Sequence, residues 1–142
     1  MENNIKITPE DVKYIKMACE LASDNIDKGG GPFGAVIVKN GEVLATGCNS
    51  VTIDNEGNAI RKACKLVNNF NLEGCVIYSS CEPCPMCLSS LYWAGVSRIY
   101  YANTQNDADA IDFGDHFIYE EIAKPHLKRL IPSSGFIHDE RF

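Results

Sequence analysis

The segment that decides the fold is Ser80-Cys81-Glu82-Pro83-Cys84-Pro85-Met86-Cys87. It follows a strand-like run, Cys75–Tyr78, and Pro85 suits the first position of a helix. Cys84 and Cys87 are three residues apart at this helix start, so both thiols lie on the same side, and the helix N-terminus favours their thiolate forms. Two such sulfurs can bind a zinc ion. Taken alone, the pattern is equally typical of a thioredoxin-like redox pair or of half a structural zinc site.

The N-terminal part of the chain predicts a helix. Thr8 is a candidate N-cap, with Pro9 at the first helical position and acidic residues in the first turn. Apolar residues recur at helical spacing until three consecutive glycines end the pattern; they are Val12, Ile15, Cys19, Ala22 and Ile26.

The remaining segments alternate between strands and helices. Two apolar runs, 33–38 and 43–46, flank an Asn40-Gly41 pair, which indicates a β-hairpin. Helical, strand-like, helical and strand-like patterns follow at 59–68, 75–78, 85–94 and 98–101. The order α-β-β-α-β-α-β predicts a single α/β domain over residues 1–142. Helical crossovers between strands imply that part of the sheet is parallel and that helices cover it.

Composition limits the class of partner. With 142 residues, 45% of them hydrophobic, the chain can form one core. A net charge of −6 argues against binding a nucleic acid polymer and favours a small substrate. No signal-peptide pattern or span of ~18 apolar residues is evident, so we expect a cytoplasmic protein that does not insert into membranes. Seven cysteines, an odd number, favour thiols over disulfides.

Several segments together resemble the bacterial guanine deaminases of the cytidine deaminase superfamily. They are Gly31–Val38, Asn49–Thr52, Ala59–Cys64, Ser80–Leu88 and Tyr92–Ala94. The resemblance implies a three-layer α/β/α domain with a mixed sheet and helices on both faces. It also implies hydrolysis of guanine to xanthine and ammonia, with a zinc ion bound by one histidine and two cysteines that activates water. Members of this family usually form homodimers, and several exchange their C-terminal segments.

Specific residues match the site of that family by position. Cys84 and Cys87 match the metal ligands, and Glu56, which precedes Cys84 by 28 residues, matches the glutamate that carries the proton. The remaining matches are Asn49, Phe33, Trp93 and Asp115 as substrate-binding residues and Glu140 as a second catalytic glutamate. The alternatives are a first-turn helix acid for Glu56, core packing for Phe33 and Trp93, and a solvated loop carboxylate for Asp115.

The sequence departs from the family where the histidine is expected. The stretch Val51–Ala59 contains no histidine and is about six residues shorter than the family pattern that ends in His-x-Glu. Three alternatives stay open: Asp54 is the third ligand, the zinc site is incomplete, or the natural protein carries a histidine that this sequence lacks. Asp54 is also a good helix N-cap. A deaminase fold that binds a purine without turning it over is the alternative function.

Overall fold

The computed structural model describes residues 6–48, 55–111, 114 and 116–135, and for residues 55–58 the backbone alone. Its helices are α1 (Pro9–Asp27), α2 (Asn55–Val67), α3 (Pro85–Ala94), α4 (Gln105–Asp109) and α5 (His116–Ala123). Its strands are β1 (Gly34–Lys39), β2 (Glu42–Cys48), β3 (Cys75–Cys81) and β4 (Arg98–Asn103). A short 3₁₀ turn, His126–Lys128, follows α5. The predicted element order is confirmed.

The described strands form one mixed sheet in the order β2-β1-β3-β4. The β1–β2 hairpin turns at Asn40 and Gly41, whose φ angles of 53° and 77° suit the predicted turn. β1 is antiparallel to both of its neighbours, and β3 and β4 are parallel. Parallel pairing therefore occurs only where the crossover helix α3 connects two adjacent strands.

Helices cover both faces of this sheet, which confirms the three-layer prediction. Alternate residues of β1 point to opposite sides, as strand geometry requires. Ala35 and Ile37 pack with residues of α2 and α3, whereas Val36 and Val38 pack with Tyr14 and its neighbours on α1. Both cores are buried and exclude water from the two faces of β1 and β3.

Helix α1 packs through a face that is rotated from the predicted one, although Ala22 is buried and Ile15 packs against the core as predicted. Thr8 is its N-cap and forms the expected start, but Val12 and Ile26 are exposed by 44% and 53%. The buried residues are Asp11, Tyr14, Ala18 and Ala22. The apolar stripe was wrong in phase because a charged residue, Asp11, lies on the inward face, where it accepts a hydrogen bond from Tyr78.

The close approach of α1 to β1 depends on a glycine. A Cβ atom at Gly34 would lie 2.5 Å from the backbone oxygen of Ala18 and 2.8 Å from the backbone nitrogen of Ala22. No side chain fits there without separating the helix from the sheet. Gly34 also donates a 2.9 Å hydrogen bond from its backbone N–H to the Ser80 hydroxyl, so it joins β1 to the strand that leads into the cysteine motif.

Candidate metal and active site

Phe33 and the cysteine motif, two parts of the predicted site, lie at the same end of the sheet. In the ladder, Gly34 faces Cys48, and Cys81 faces Asn103, so the start of β1 lies beside the carboxyl ends of β2, β3 and β4. Phe33 immediately precedes β1 and is half-buried at this edge. The segment that contains the cysteine motif leaves the sheet here. Ligand sites in α/β folds are commonly found at such strand ends.

The cysteine pair has the geometry expected of half a metal site. Cys84 is the N-cap of α3, and the Cys84 and Cys87 sulfur atoms are 3.2 Å apart. The backbone N–H of Cys87 points at the Cys84 sulfur over 3.4 Å, which favours negative charge on that sulfur. Two zinc-bound thiolates, each about 2.3 Å from the metal, lie on one side of it in this way. Two such thiolates on a tetrahedral zinc ion lie roughly 3.7 Å apart, so the pair can take two of its four positions after its sulfurs separate by about 0.5 Å.

The chemistry of the other cysteines is different. None of the seven cysteines, all of which lie in the described part of the chain, forms a disulfide, which agrees with the odd count. Burial raises the pKa values of four of them, Cys19, Cys48, Cys64 and Cys75. These four thiols are stabilised in the neutral form and pack as small apolar side chains. The motif is therefore the one segment where the structure places two sulfurs together at a helix start.

The glutamate predicted to carry the proton lies at the start of a helix. Glu56 is the second residue of α2, which begins at Asn55 after the short connection from the end of β2. Helix α2 is anchored on the sheet by Ala59 and Ala63, both fully buried. The start of α2 therefore follows the strand end at the same edge as the cysteine pair, which suits the predicted role of Glu56.

Trp93, one of the two predicted aromatic residues, does not share a face of α3 with Cys87. The buried face of α3 contains Cys87, Leu91 and Ala94, whereas Trp93 lies on another face and is 86% exposed. Its position is roughly 9 Å further along the helix axis than Cys87. Trp93 lines a groove of about 390 Å³ with Leu88, Ser89 and Tyr92. Core packing of Trp93 is therefore wrong, and the structure does not bring Trp93 and Cys87 to a common face.

The other predicted residues lie outside the described part of the chain. They are Asn49, Asp54, Asp115 and Glu140. Within the described ranges, no group of three or more His, Cys, Asp or Glu side chains is placed to hold a metal ion. The third ligand thus stays a prediction on the stretch before α2, and so do the roles of Asn49, Asp115 and Glu140.

A set of polar contacts surrounds the cysteine motif, and it was not predicted from the sequence. Glu82 accepts hydrogen bonds from the backbone N–H and the side-chain amide of Gln105, at 3.2 and 2.9 Å. Tyr119 donates a 2.5 Å hydrogen bond to the carbonyl oxygen of Pro83. These partners are 23 and 36 positions apart, so local periodicity carries no signal for them. The nearest clue was the glutamate that directly precedes Pro83.

Comparisons with known proteins agree with this architecture. Residues 8–103 match the family described as the cytidine and deoxycytidylate deaminase zinc-binding region. The chain is 48% identical over 126 residues to guanine deaminase of Bacillus subtilis, with 84% of this chain and 81% of that protein covered. It is 36% identical over 95 residues to tRNA-specific adenosine deaminase of Aquifex aeolicus, with 63% of each chain covered.

A solved structure also superposes closely. The X-ray structure of guanine deaminase from Bacillus subtilis matches with a TM-score of 0.86 and 45% identity, covering 91% of this chain and 87% of that one. The match extends through both helical layers and the sheet. The protein therefore belongs to the cytidine and deoxycytidylate deaminase family, and the family predicted from its cysteine motif is confirmed.

No described helix is both long and apolar enough to span a bilayer.

Proposed function

We propose that this protein is a zinc-dependent guanine deaminase that hydrolyses guanine to xanthine and ammonia. The observation that carries the proposal is the Cys84–Cys87 sulfur pair at the start of α3. It lies in a chain that is nearly half identical to a guanine deaminase over most of its length. Similarity to a tRNA-specific adenosine deaminase is lower and covers less of the chain, so a free purine base is the favoured substrate.

The metal would be held by this chain's own thiolates. Cys84 and Cys87 supply two ligands, and the stretch before α2 supplies the third, either Asp54 or a histidine in that position. A bound zinc ion would supply an activated water molecule. Zinc is the proposed metal because the family to which the chain belongs is described by its zinc-binding region.

Glu56 would move the proton. Hydrolysis adds the water oxygen to the amine-bearing carbon of the base and breaks the bond from that carbon to the exocyclic nitrogen. Glu56 takes one proton from water and gives it to the ring nitrogen, then takes the second proton from the newly added hydroxyl group and gives it to the departing amine, which leaves as ammonia while the carbon–oxygen bond becomes a carbonyl. A carboxylate is a common general base in enzymes, and Glu56 is the second residue of α2.

The substrate would lie at the edge of the sheet, beside Phe33. This aromatic ring is half-buried where β1 begins, next to the end of the strand that leads to the cysteines. Asn49 would hydrogen-bond the base, and Asp115 would accept a purine N–H. Glu140 would complete the pocket from the C-terminal segment, whereas Trp93 lines a separate groove on the outer face of α3. The groove beside Trp93 is open on one side, so a further segment is needed to enclose a ligand there.

The partner we propose, besides the purine, is a second copy of the chain. In the C-terminal segment, large apolar residues are exposed, with Leu127, Leu130 and Ile131 at 71%, 75% and 85%. Soluble domains rarely leave such patches open unless another surface covers them. A homodimer would cover them, and an exchanged C-terminal segment would bring Glu140 to the partner's site. A cytoplasmic location and the absence of nucleic acid or membrane partners stay predictions.

Turnover assays on the purified, zinc-loaded protein test the proposal. Guanine, cytosine and a transfer RNA with adenosine at the wobble position are supplied in parallel, and ammonia release is measured together with zinc content. We expect ammonia from guanine at a rate that clearly exceeds the rate with either other substrate. Zinc-loaded protein that releases no ammonia from any of them would support the alternative, a deaminase fold that binds purines without turnover.

A further inference from the structure

The C-terminal helix α5 reaches the metal-binding segment directly. The Tyr119 hydroxyl donates a 2.5 Å hydrogen bond to the carbonyl oxygen of Pro83, the residue before Cys84. Pro83 is buried, and Cys84 is the N-cap that begins α3. The bond therefore holds the peptide that joins Pro83 to Cys84, and this peptide sets where the Cys84 sulfur lies.

A second path connects the same helix to the same segment. His116, the first residue of α5, lies 3.1 Å from the Gln105 side-chain oxygen through its Nδ1 atom. Gln105 in turn donates two hydrogen bonds to the carboxylate of Glu82. The backbone N–H of Glu82 donates to the Asn103 carbonyl at 2.7 Å, so both residues before Cys84 are held by partners from distant elements.

The two contacts come from one face of α5. His116 and Tyr119 are three residues apart, which places them on the same side of a helix. Among the described residues of α5, none is buried, and its large apolar side chains Phe117 and Ile122 are exposed by 55% and 54%. A helix that packs for stability would turn its apolar side inward. This helix instead contacts the body of the protein through polar groups directed at the cysteine motif.

We propose that Tyr119 and His116 are positioning residues for the metal site, and that α5 fixes the segment 82–84 so that the Cys84 sulfur stays beside the Cys87 sulfur at the start of α3. The inference deepens the proposed function and rests on it for the identity of the metal. Groups that orient metal ligands from behind affect metal binding nearly as strongly as the ligands do. The sulfur–sulfur distance of 3.2 Å is the quantity that this support would maintain.

The test uses Tyr119→Phe, which removes one hydroxyl and leaves the ring. Tyr14→Phe is the matched control, because Tyr14 on α1 also donates a hydrogen bond from its hydroxyl to a distant backbone carbonyl, that of Gly41 in the hairpin turn, at 2.9 Å. Zinc affinity is measured by competition with a chromophoric chelator. The alkylation rate of Cys84 in the metal-free protein is measured by peptide mass spectrometry. Thermal unfolding reports any general loss of stability.

We expect Tyr119→Phe to weaken zinc binding by about tenfold and to speed Cys84 alkylation, while Tyr14→Phe changes neither. Zinc affinity and alkylation rate equal to those of the parent would overturn the proposal, and so would equal changes in both variants. Neither readout requires guanine turnover. A parent that binds zinc but leaves guanine unchanged contradicts the proposed substrate alone, and if the parent holds no zinc, the alkylation rates decide.

Discussion

The Tyr78 hydroxyl donates a 2.5 Å hydrogen bond to Oδ1 of Asp11, and this bond joins the central strand β3 to the first turn of α1. The other carboxylate oxygen of Asp11 accepts the Thr8 backbone N–H at 2.8 Å and completes the helix cap. The hydrogen bond from the Thr8 backbone N–H is the main cause of the lowered pKa of Asp11, and the hydrogen bond from Tyr78 lowers this pKa further. Burial of the carboxylate acts in the opposite direction. Burial raises the pKa of Tyr78, and the neighbouring Asp11 carboxylate raises it further.

The lowered pKa of Asp11 makes folding sensitive to acid. Because this pKa is below its unfolded value near 3.9, the carboxylate contributes stability above pH ~4 that is lost as pH falls through the folded value. We expect Asp11→Asn to be less stable than the parent at pH 7 and to show a shallower loss between pH 5 and pH 3. Thermal unfolding across this range checks it, with Asp24→Asn, an exposed position on α1, as the control.

Removal of the Tyr78 hydroxyl tests the same bond from the strand side. Tyr78 is 5% exposed and stacks on Tyr100 at a centroid distance of 5.1 Å, so Tyr78→Phe keeps the ring contact. We expect a loss of about 1–3 kcal/mol in the free energy of unfolding, because a buried bond to a charged acceptor is removed. Denaturant unfolding at pH 7 measures it. An unchanged midpoint would show that Asp11 is held by its helix cap alone.

The predicted role of Glu56 is tested by Glu56→Gln. We expect turnover to fall by about 10²–10⁴ because the amide cannot accept the proton, while zinc content and folding stay near those of the parent. The control is Glu73→Gln, an exposed glutamate in the turn before β3. Initial rates with guanine and elemental analysis decide the result. Full activity in Glu56→Gln would mean that Glu56 serves only as a first-turn acid of α2.

The cysteine pair predicts which thiols hold the metal. Cys84→Ser should lose most of the bound zinc, because one of two thiolate ligands is replaced by a hydroxyl that binds zinc poorly. Cys19→Ser is the matched control, since Cys19 lies on α1 and its thiol is kept neutral by burial. Zinc per chain, measured by elemental analysis, should fall in the first variant alone. Equal zinc in both variants would move the metal site away from α3.

The identity of the third zinc ligand is tested by zinc content. We expect a lower zinc affinity for two thiolates with Asp54 than for two thiolates with a histidine. The reason is that the short stretch before α2 must also orient the Asp54 carboxylate toward the metal. We expect substoichiometric zinc and low activity in the chain as printed. A Pro-Thr-Ala-His-Ala type turn inserted before Glu56 should raise both. One zinc per chain without the insertion, lost on Asp54→Ala, would instead identify Asp54 as the ligand.

The sequence by itself determined the elements and the metal pair. A turn of Asn40-Gly41, the cap at Thr8 and the Cys84–Cys87 spacing all depend on residues within about four positions of one another, so they are legible in a linear pattern. Periodicity gave the element order and a partly parallel sheet covered by helices, the family resemblance implied three layers, and the structure confirms both. Glu56 was matched by position to the family's glutamate, and the structure places it in the first turn of α2, where its catalytic role stays a prediction.

Only the tertiary structure decided which faces meet. Asp11 lies on the inward face of α1 because it accepts a hydrogen bond from the hydroxyl of Tyr78, 67 positions away. The helical pattern of α1 alone does not reveal a partner at that distance in sequence. The support of the cysteine motif by Tyr119 is likewise a contact between distant elements. The exposure of Trp93 also depends on which side of α3 packs against the sheet. Local sequence patterns reflect interactions between residues that are close in sequence, whereas burial and long-range hydrogen bonds depend on the whole folded chain.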